Sequence, residues 1–102
     1  MANRIDTTFA RLRETSTTAF VAYVCGGDPN FDRSLEILQA LADAGADIIG
    51  VGVPFSDPMA DGIVNQMAAE RALKAGMSTP RVIDLIRAFR ETHETPLVLF
   101  TY

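Results

Sequence analysis

The stretch Asp47-Ile48-Ile49-Gly50-Val51-Gly52-Val53-Pro54-Phe55-Ser56-Asp57-Pro58-Met59-Ala60-Asp61-Gly62 changes character at Pro54. Up to Val53 it is β-branched and nearly continuous in apolar character, which suits a parallel strand buried on both faces. From Pro54 onward it is rich in rigid and acidic residues. A loop at the carboxyl end of a parallel strand is where α/β folds place ligands. The segment therefore predicts a buried strand that delivers the rim of an active site.

Working outward, the same alternation recurs on both sides. Ile5 to Glu14 carries Ile5, Phe9 and Leu12 at helical spacing, with Asp6, Thr7 or Thr8 as its cap. After a break at Thr15 to Thr18, Ala19 to Cys25 reads as the first buried strand. Gly26 and Gly27 supply a turn, Asp28-Pro29-Asn30 a cap, and Phe31, Leu35, Leu38 and Ala42 one face of a helix that Gly45 stops. Beyond the Pro54–Gly62 loop, Asn65 to Ala75 is predicted helical, with Met67, Arg71 and Leu73 mixed among alanines and Gly76 as its end. Pro80 at the first helical position opens another helix with a wide apolar face, Val82, Ile83, Leu85, Ile86 and Phe89. Leu97 to Tyr102 is a third apolar strand.

A leading helix followed by βαβαβ with parallel strands indicates an α/β fold built from right-handed units. No linker, low-complexity tract or charge block divides residues 1–102, so they read as a single unit. A complete (β/α)8 TIM barrel needs ~250 residues; this sequence of 102 residues supplies three of its strands and reads as a partial barrel, its amino-terminal portion, with no separate second domain. The right-handed crossovers set the long helices on one side of the sheet. The other side, expected to bear large aliphatic side chains, is left uncovered, which predicts self-association of the isolated chain.

Charge and composition narrow the partners. With 48% hydrophobic residues and a formal net charge of −4, the chain is foldable and mildly acidic. It has no basic cluster, which argues against nucleic acid. Its longest strongly apolar run near the amino terminus, Ala19 to Cys25, is far below the ~20 residues of a membrane span. The start leads into polar residues, unlike a signal peptide, and a cytoplasmic location is expected. One cysteine, Cys25, permits no intramolecular disulfide and no cysteine metal cluster; at the end of an apolar strand it reads as a buried inert thiol rather than a nucleophile. The one histidine, His93, falls in a polar connector and reads as a solvated loop residue, so no metal site is expected.

The motif Gly-Val-Pro-Phe-Ser-Asp-Pro-Met-Ala-Asp-Gly at Gly52 to Gly62, together with Gly26-Gly27-Asp28-Pro29 after the preceding strand, closely resembles the α subunit of tryptophan synthase. The similarity runs from Phe9 to Tyr102, somewhat under half of a family member. It implies retro-aldol cleavage of indole-3-glycerol phosphate to indole and glyceraldehyde 3-phosphate, in tryptophan biosynthesis. It also implies a heterotetrameric complex in which indole passes to a β subunit. Pyridoxal phosphate would belong to that partner, with no cofactor in this chain.

The resemblance assigns residues too. Asp61 matches the family carboxylate that accepts a hydrogen bond from the indole N–H as positive charge develops on the ring; the lesser alternative is a cap on the following helix. The family's acid–base glutamate stands four residues before the first proline of the loop, and here that position is Gly50. Without a side chain it cannot shuttle a proton, a function worth about 10²–10⁴-fold, so the chain alone is expected to be inactive. Tyr23 and Tyr102 occupy aromatic positions of the indole pocket, where Tyr23 is often phenylalanine, and both could instead be core filling. Asn65 falls at an aliphatic substrate contact, and Ile63 replaces a proline. Pro54, Asp57 and Pro58 belong to a loop that contacts the β subunit. Phosphate-binding loops would lie beyond Tyr102. Gly26-Gly27-Asp28 is no substitute, since an adjacent acid repels an anion. The resemblance leaves a second reading, a noncatalytic fragment that binds the β subunit through protein contacts. A different phosphate-binding barrel enzyme is disfavoured by the full motif.

Overall fold

The structure is a computed structural model that describes residues 3–56 and 61–102. Four helices and three strands follow in the order α1 (Arg4–Glu14), β1 (Val21–Cys25), α2 (Phe31–Asp43), β2 (Ile48–Gly52), α3 (Ile63–Lys74), α4 (Thr79–Arg90) and β3 (Leu97–Phe100). The strands form one parallel sheet in the order β1-β2-β3. Register sets Tyr23 opposite Gly50, Gly50 opposite Val98, and Gly52 between Cys25 and Phe100.

Alternation along the strands sorts side chains between two faces. Ile49 and Val51 point into the helix layer, where they are fully buried with Leu38 of α2 and Val82, Leu85 and Phe89 of α4. Each such side chain contributes about 1.5–3 kcal/mol relative to leaving it in water, so this layer holds the fold. The opposite face is open. It carries Val21, Tyr23, Val98 and Phe100, all exposed, with the bare backbone of Gly50 and Gly52 between them. Val21 and Val98 are the aliphatic side chains expected there, and two aromatic rings and two glycines stand beside them.

Local signals explain most boundaries. Asn30 caps α2 by accepting from the Arg33 N–H at 2.9 Å, and Gly45 ends it at φ 108°. The cap of α1 is Asn3, which accepts from the Asp6 N–H at 2.9 Å, so the helix starts a turn before the predicted Asp6, Thr7 or Thr8. Ser78 caps α4, which makes Pro80 the second helical residue instead of the first. Of the apolar face predicted for α4, Ile83 is exposed. Helix α3 begins two residues before the predicted Asn65; it buries Ala68, Ala69 and Ala72, while Met67 faces solvent and Arg71 reaches out to pair with Asp28. Small alanines allow α3 to lie close against β1.

The leading helix crosses the amino ends of the strands. Arg4 pairs with Glu94 at 2.8 Å and Arg11 with Asp47 at 3.4 Å. The Asp47 carboxylate also accepts from the Phe20 N–H at 2.7 Å. His93 is not a solvated loop residue. Its ring stacks on Phe89 with centroids 5.0 Å apart, and its Nε2 lies 2.8 Å from Asp43 Oδ1, so it joins the end of α4 to the end of α2. No helix among the described residues is long and apolar enough to cross a membrane.

Candidate active site at the carboxyl ends of the strands

The carboxyl ends of the strands are drawn together by backbone bonds that extend the ladder. Gly26 N–H donates to Gly52 O at 2.8 Å and Val53 N–H to Phe100 O at 2.8 Å. The Gly26-Gly27 turn is used up structurally: Gly27, at φ 91°, lies so close to Met77 that a Cβ would overlap it, and its N–H donates to the buried Ser34 hydroxyl at 2.9 Å. Asp28 is held by a two-point contact from Arg71, Nε to Oδ1 at 2.8 Å and Nη2 to Oδ2 at 3.0 Å. That turn therefore offers no cradle for an anion.

Beside it lies an open cleft of about 350 Å³ lined by Tyr23, Val53, Asp61, Asn65, Phe100, Thr101 and Tyr102. Four residues singled out in the sequence, Tyr23, Asp61, Asn65 and Tyr102, thus meet in one place although they come from β1, the end of the β2–α3 loop, α3 and the end of β3. Asp61 does not cap α3. The N-cap is Gly62, which makes no side-chain cap, and among the described residues the backbone carbonyl of Asp61 is engaged by Gln66 Nε2 at 2.8 Å. Asp61 itself lines the cleft. Tyr102 stacks on Phe55 at 5.0 Å, which ties the start of the loop after β2 to the end of β3.

Gly50 lies beneath two rings of that lining, Tyr23 and Phe100. A Cβ built there would sit 2.7 Å from Phe100 Cε1 and 3.3 Å from Tyr23 Cδ2. The two rings meet edge to face across it, with centroids 5.4 Å apart and an interplanar angle of 84°. Two residues on, the Tyr23 hydroxyl lies over Gly52 so closely that a Cβ would overlap it. Phe100 was missed in the sequence. It stands at the end of β3, two positions before Tyr102.

Burial pushes the Tyr23 phenol above its ordinary 10.0, with Cys25, Asp61 and Tyr102 adding to the effect, so it stays protonated. Burial likewise pushes the Cys25 thiol up to about 11, with Asp28 and Asp61 acting in the same direction and Arg71 against it. A thiol held neutral in this way is inert, as its position at the end of an apolar strand suggested. Among the loop residues, Pro54 is buried, whereas Phe55 and Ser56 are exposed. Asp57 and Pro58 lie outside the described residues. Among those described, no cluster of three or more His, Cys, Asp or Glu could hold a metal ion.

Comparison with known proteins agrees with this geometry. The family profile for the tryptophan synthase alpha chain matches residues 9–102. A tryptophan synthase alpha chain from Gluconobacter oxydans is 52% identical over 101 residues, covering 98% of this chain and 37% of its own length. The crystal structure of tryptophan synthase subunit alpha from Legionella pneumophila superposes with a TM-score of 0.96 at 39% identity, over 100% of this chain and 39% of that one. A structure of the tryptophan synthase a2b2 complex from Pyrococcus furiosus contains a chain 40% identical, with a TM-score of 0.77, covering 82% of this chain and 34% of that one. The chain described here thus spans well under half the length of its relatives, and its three strands correspond to part of their barrel. On sequence and fold together, it belongs to the tryptophan synthase alpha chain family.

Proposed function

We propose that this chain carries the indole-binding part of a tryptophan synthase α-type lyase, the enzyme that cleaves indole-3-glycerol phosphate to indole and glyceraldehyde 3-phosphate in the cytoplasm during tryptophan biosynthesis. The observation that carries the reading is the convergence of Tyr23, Asp61, Asn65 and Tyr102 on one cleft at the carboxyl end of the sheet. Asp61 accepts the indole N–H, and its charge favours the positive charge that develops on the ring during cleavage. Tyr23, Phe100 and Tyr102 supply flat apolar surface for the bicyclic ring.

The remaining chemistry requires a group that protonates the ring carbon and deprotonates the glycerol hydroxyl. Position 50 would hold it, and there the Phe100 ring stands in the space beside a glycine. The chain by itself is therefore inactive in this reading. The filled floor also favours the second reading, a noncatalytic fragment that docks on a β subunit. That partner, with its own pyridoxal phosphate, is supported by the kinship to a chain of the Pyrococcus a2b2 complex. Pro54, Asp57 and Pro58 belong to the loop assigned to it, with exposed Phe55 beside them.

Titration of the chain with indole, followed by NMR, tests the binding site. Asp61→Asn is expected to weaken indole by about tenfold, the worth of a charge-assisted hydrogen bond; equal affinities would remove Asp61 from the site. In a barrel completed with the missing strands, Gly50→Glu should raise indole release by about 10² or more. Joint substitution with Phe100→Leu should raise it further, by freeing the space for the carboxylate.

A further inference from the structure

The cleft is polar at two independent positions: Asn65 stands in its wall, and Tyr23 brings a hydroxyl to its floor. The Tyr23 ring lies along β2 because Gly50 and Gly52 present no side chains there. Its hydroxyl comes to rest over Gly52 at the carboxyl end of the strand, where the ligand would sit. Among the described residues this hydroxyl makes no hydrogen bond to the protein, so its proton is available to a ligand. Burial and the nearby Asp61 charge keep that proton in place.

We propose that Tyr23 is a specificity-determining residue: its hydroxyl donates a hydrogen bond to an oxygen substituent on a bound indole ring, and Asn65 lies in the same cleft to engage that oxygen as well. The site then takes hydroxylated indoles in preference to indole itself. This rests on the indole-site reading above. A hydroxyl on the ring exchanges one hydrogen bond to water for one to Tyr23, and the ring remains pinned at its N–H by Asp61. The preference arises because unmodified indole would leave the Tyr23 hydroxyl covered and unpaired.

The test is a set of NMR titrations of the chain with indole and with its 4-, 5-, 6- and 7-hydroxy derivatives, repeated for Tyr23→Phe and Asn65→Leu. At least one hydroxyindole is expected to bind about tenfold more tightly than indole, the factor that one additional hydrogen bond supplies. Tyr23→Phe should bring the ratio back to about 1, and Asn65→Leu should reduce it. Circular dichroism of each variant confirms that the ratio is read on folded protein. If indole binds but no hydroxyindole surpasses it, or if the preference survives in Tyr23→Phe, the inference falls while the indole site stands. If none of the five compounds binds, both fall.

Discussion

The Phe100 ring meets Tyr23 edge to face, at 5.4 Å, directly over the backbone of Gly50. The two residues lie on β3 and β1, with a whole strand between them. Rings on strands so separated can touch only when the strand between offers no side chain on that face, and Gly50 and Gly52 meet this condition. Gly50 is therefore part of a packed arrangement and not an empty slot.

That relationship predicts strong coupling between positions 50 and 100. Gly50→Ala places a Cβ 2.7 Å from Phe100 Cε1 and forces the ring to move, at a cost of about 1–2 kcal/mol. In a Phe100→Ala background the same substitution should be neutral or stabilising by several tenths of a kcal/mol, since alanine is the better strand residue. Urea denaturation of the four proteins gives the coupling energy. Additive effects would show that the rings do not meet over Gly50.

His93 should matter to stability despite its place in a polar connector. It stacks on fully buried Phe89 and reaches Asp43 on α2, so His93→Ala should cost about 1–2 kcal/mol, whereas His93→Phe keeps the stack and should lose less. Thermal melts would separate the two. A change below ~0.5 kcal/mol for His93→Ala would return it to the status of a surface residue.

Much of this architecture is legible in local sequence. Asn30, Gly45 and Gly76 mark helix ends through backbone chemistry that operates over a few residues, and the β-branched run at β2 announces a buried strand, all five residues of which are buried. The misread features depend on distant partners. Alanines carry no strong periodic signal, so the sequence marks no buried face on α3, which the structure places on Ala68, Ala69 and Ala72. The environment of His93 is set by Asp43, fifty residues away, and nothing beside it in the chain points there. The site divides in the same way. Asp61, Tyr23, Asn65 and Tyr102 were singled out through a family resemblance, and all four line one cleft. Phe100 was missed because its meaning comes from the absence of a side chain at Gly50, a relation between neighbouring strands.

The Cys25 thiol predicts a pH dependence. An unfolded cysteine ionises near its ordinary 9.0, while burial holds the native thiol at about 11. Above pH 9 the unfolded chain gains by releasing the proton and the folded chain does not. Stability tied to this group is thus complete below pH 9 and declines as pH rises towards 11. Urea midpoints measured from pH 8 to 11 should fall more steeply for the native sequence than for Cys25→Ala. Iodoacetamide at pH 8 should react with Cys25 slowly in the folded chain and quickly in urea. Parallel midpoint curves for the two proteins would show that the thiol does not contribute.

The open sheet face predicts self-association. Helix α1 crosses the amino ends of the strands, held by the Arg4–Glu94 and Arg11–Asp47 pairs, and leaves Val21, Tyr23, Val98 and Phe100 uncovered. β1 and β3 are both edge strands, so each also presents backbone groups that a second chain can pair with. Light scattering should accordingly find a mass above the 11.1 kDa of one chain, rising with concentration. A lysine at the start of β1 opposes both modes of contact: its charge is costly to cover on the apolar face, and it discourages a strand from adding at that edge. Val21→Lys should therefore shift the population towards the monomer without displacing any side chain of the buried helix layer, because Val21 lies on the opposite face. Association that persists unchanged in Val21→Lys would move the contact to the β3 edge, where Val98→Lys should then produce the shift. A monodisperse monomer of the native sequence with a cooperative melt would overturn the prediction, since it would mean that the aromatic pair over Gly50 and Gly52 packs that face well enough to stand in water.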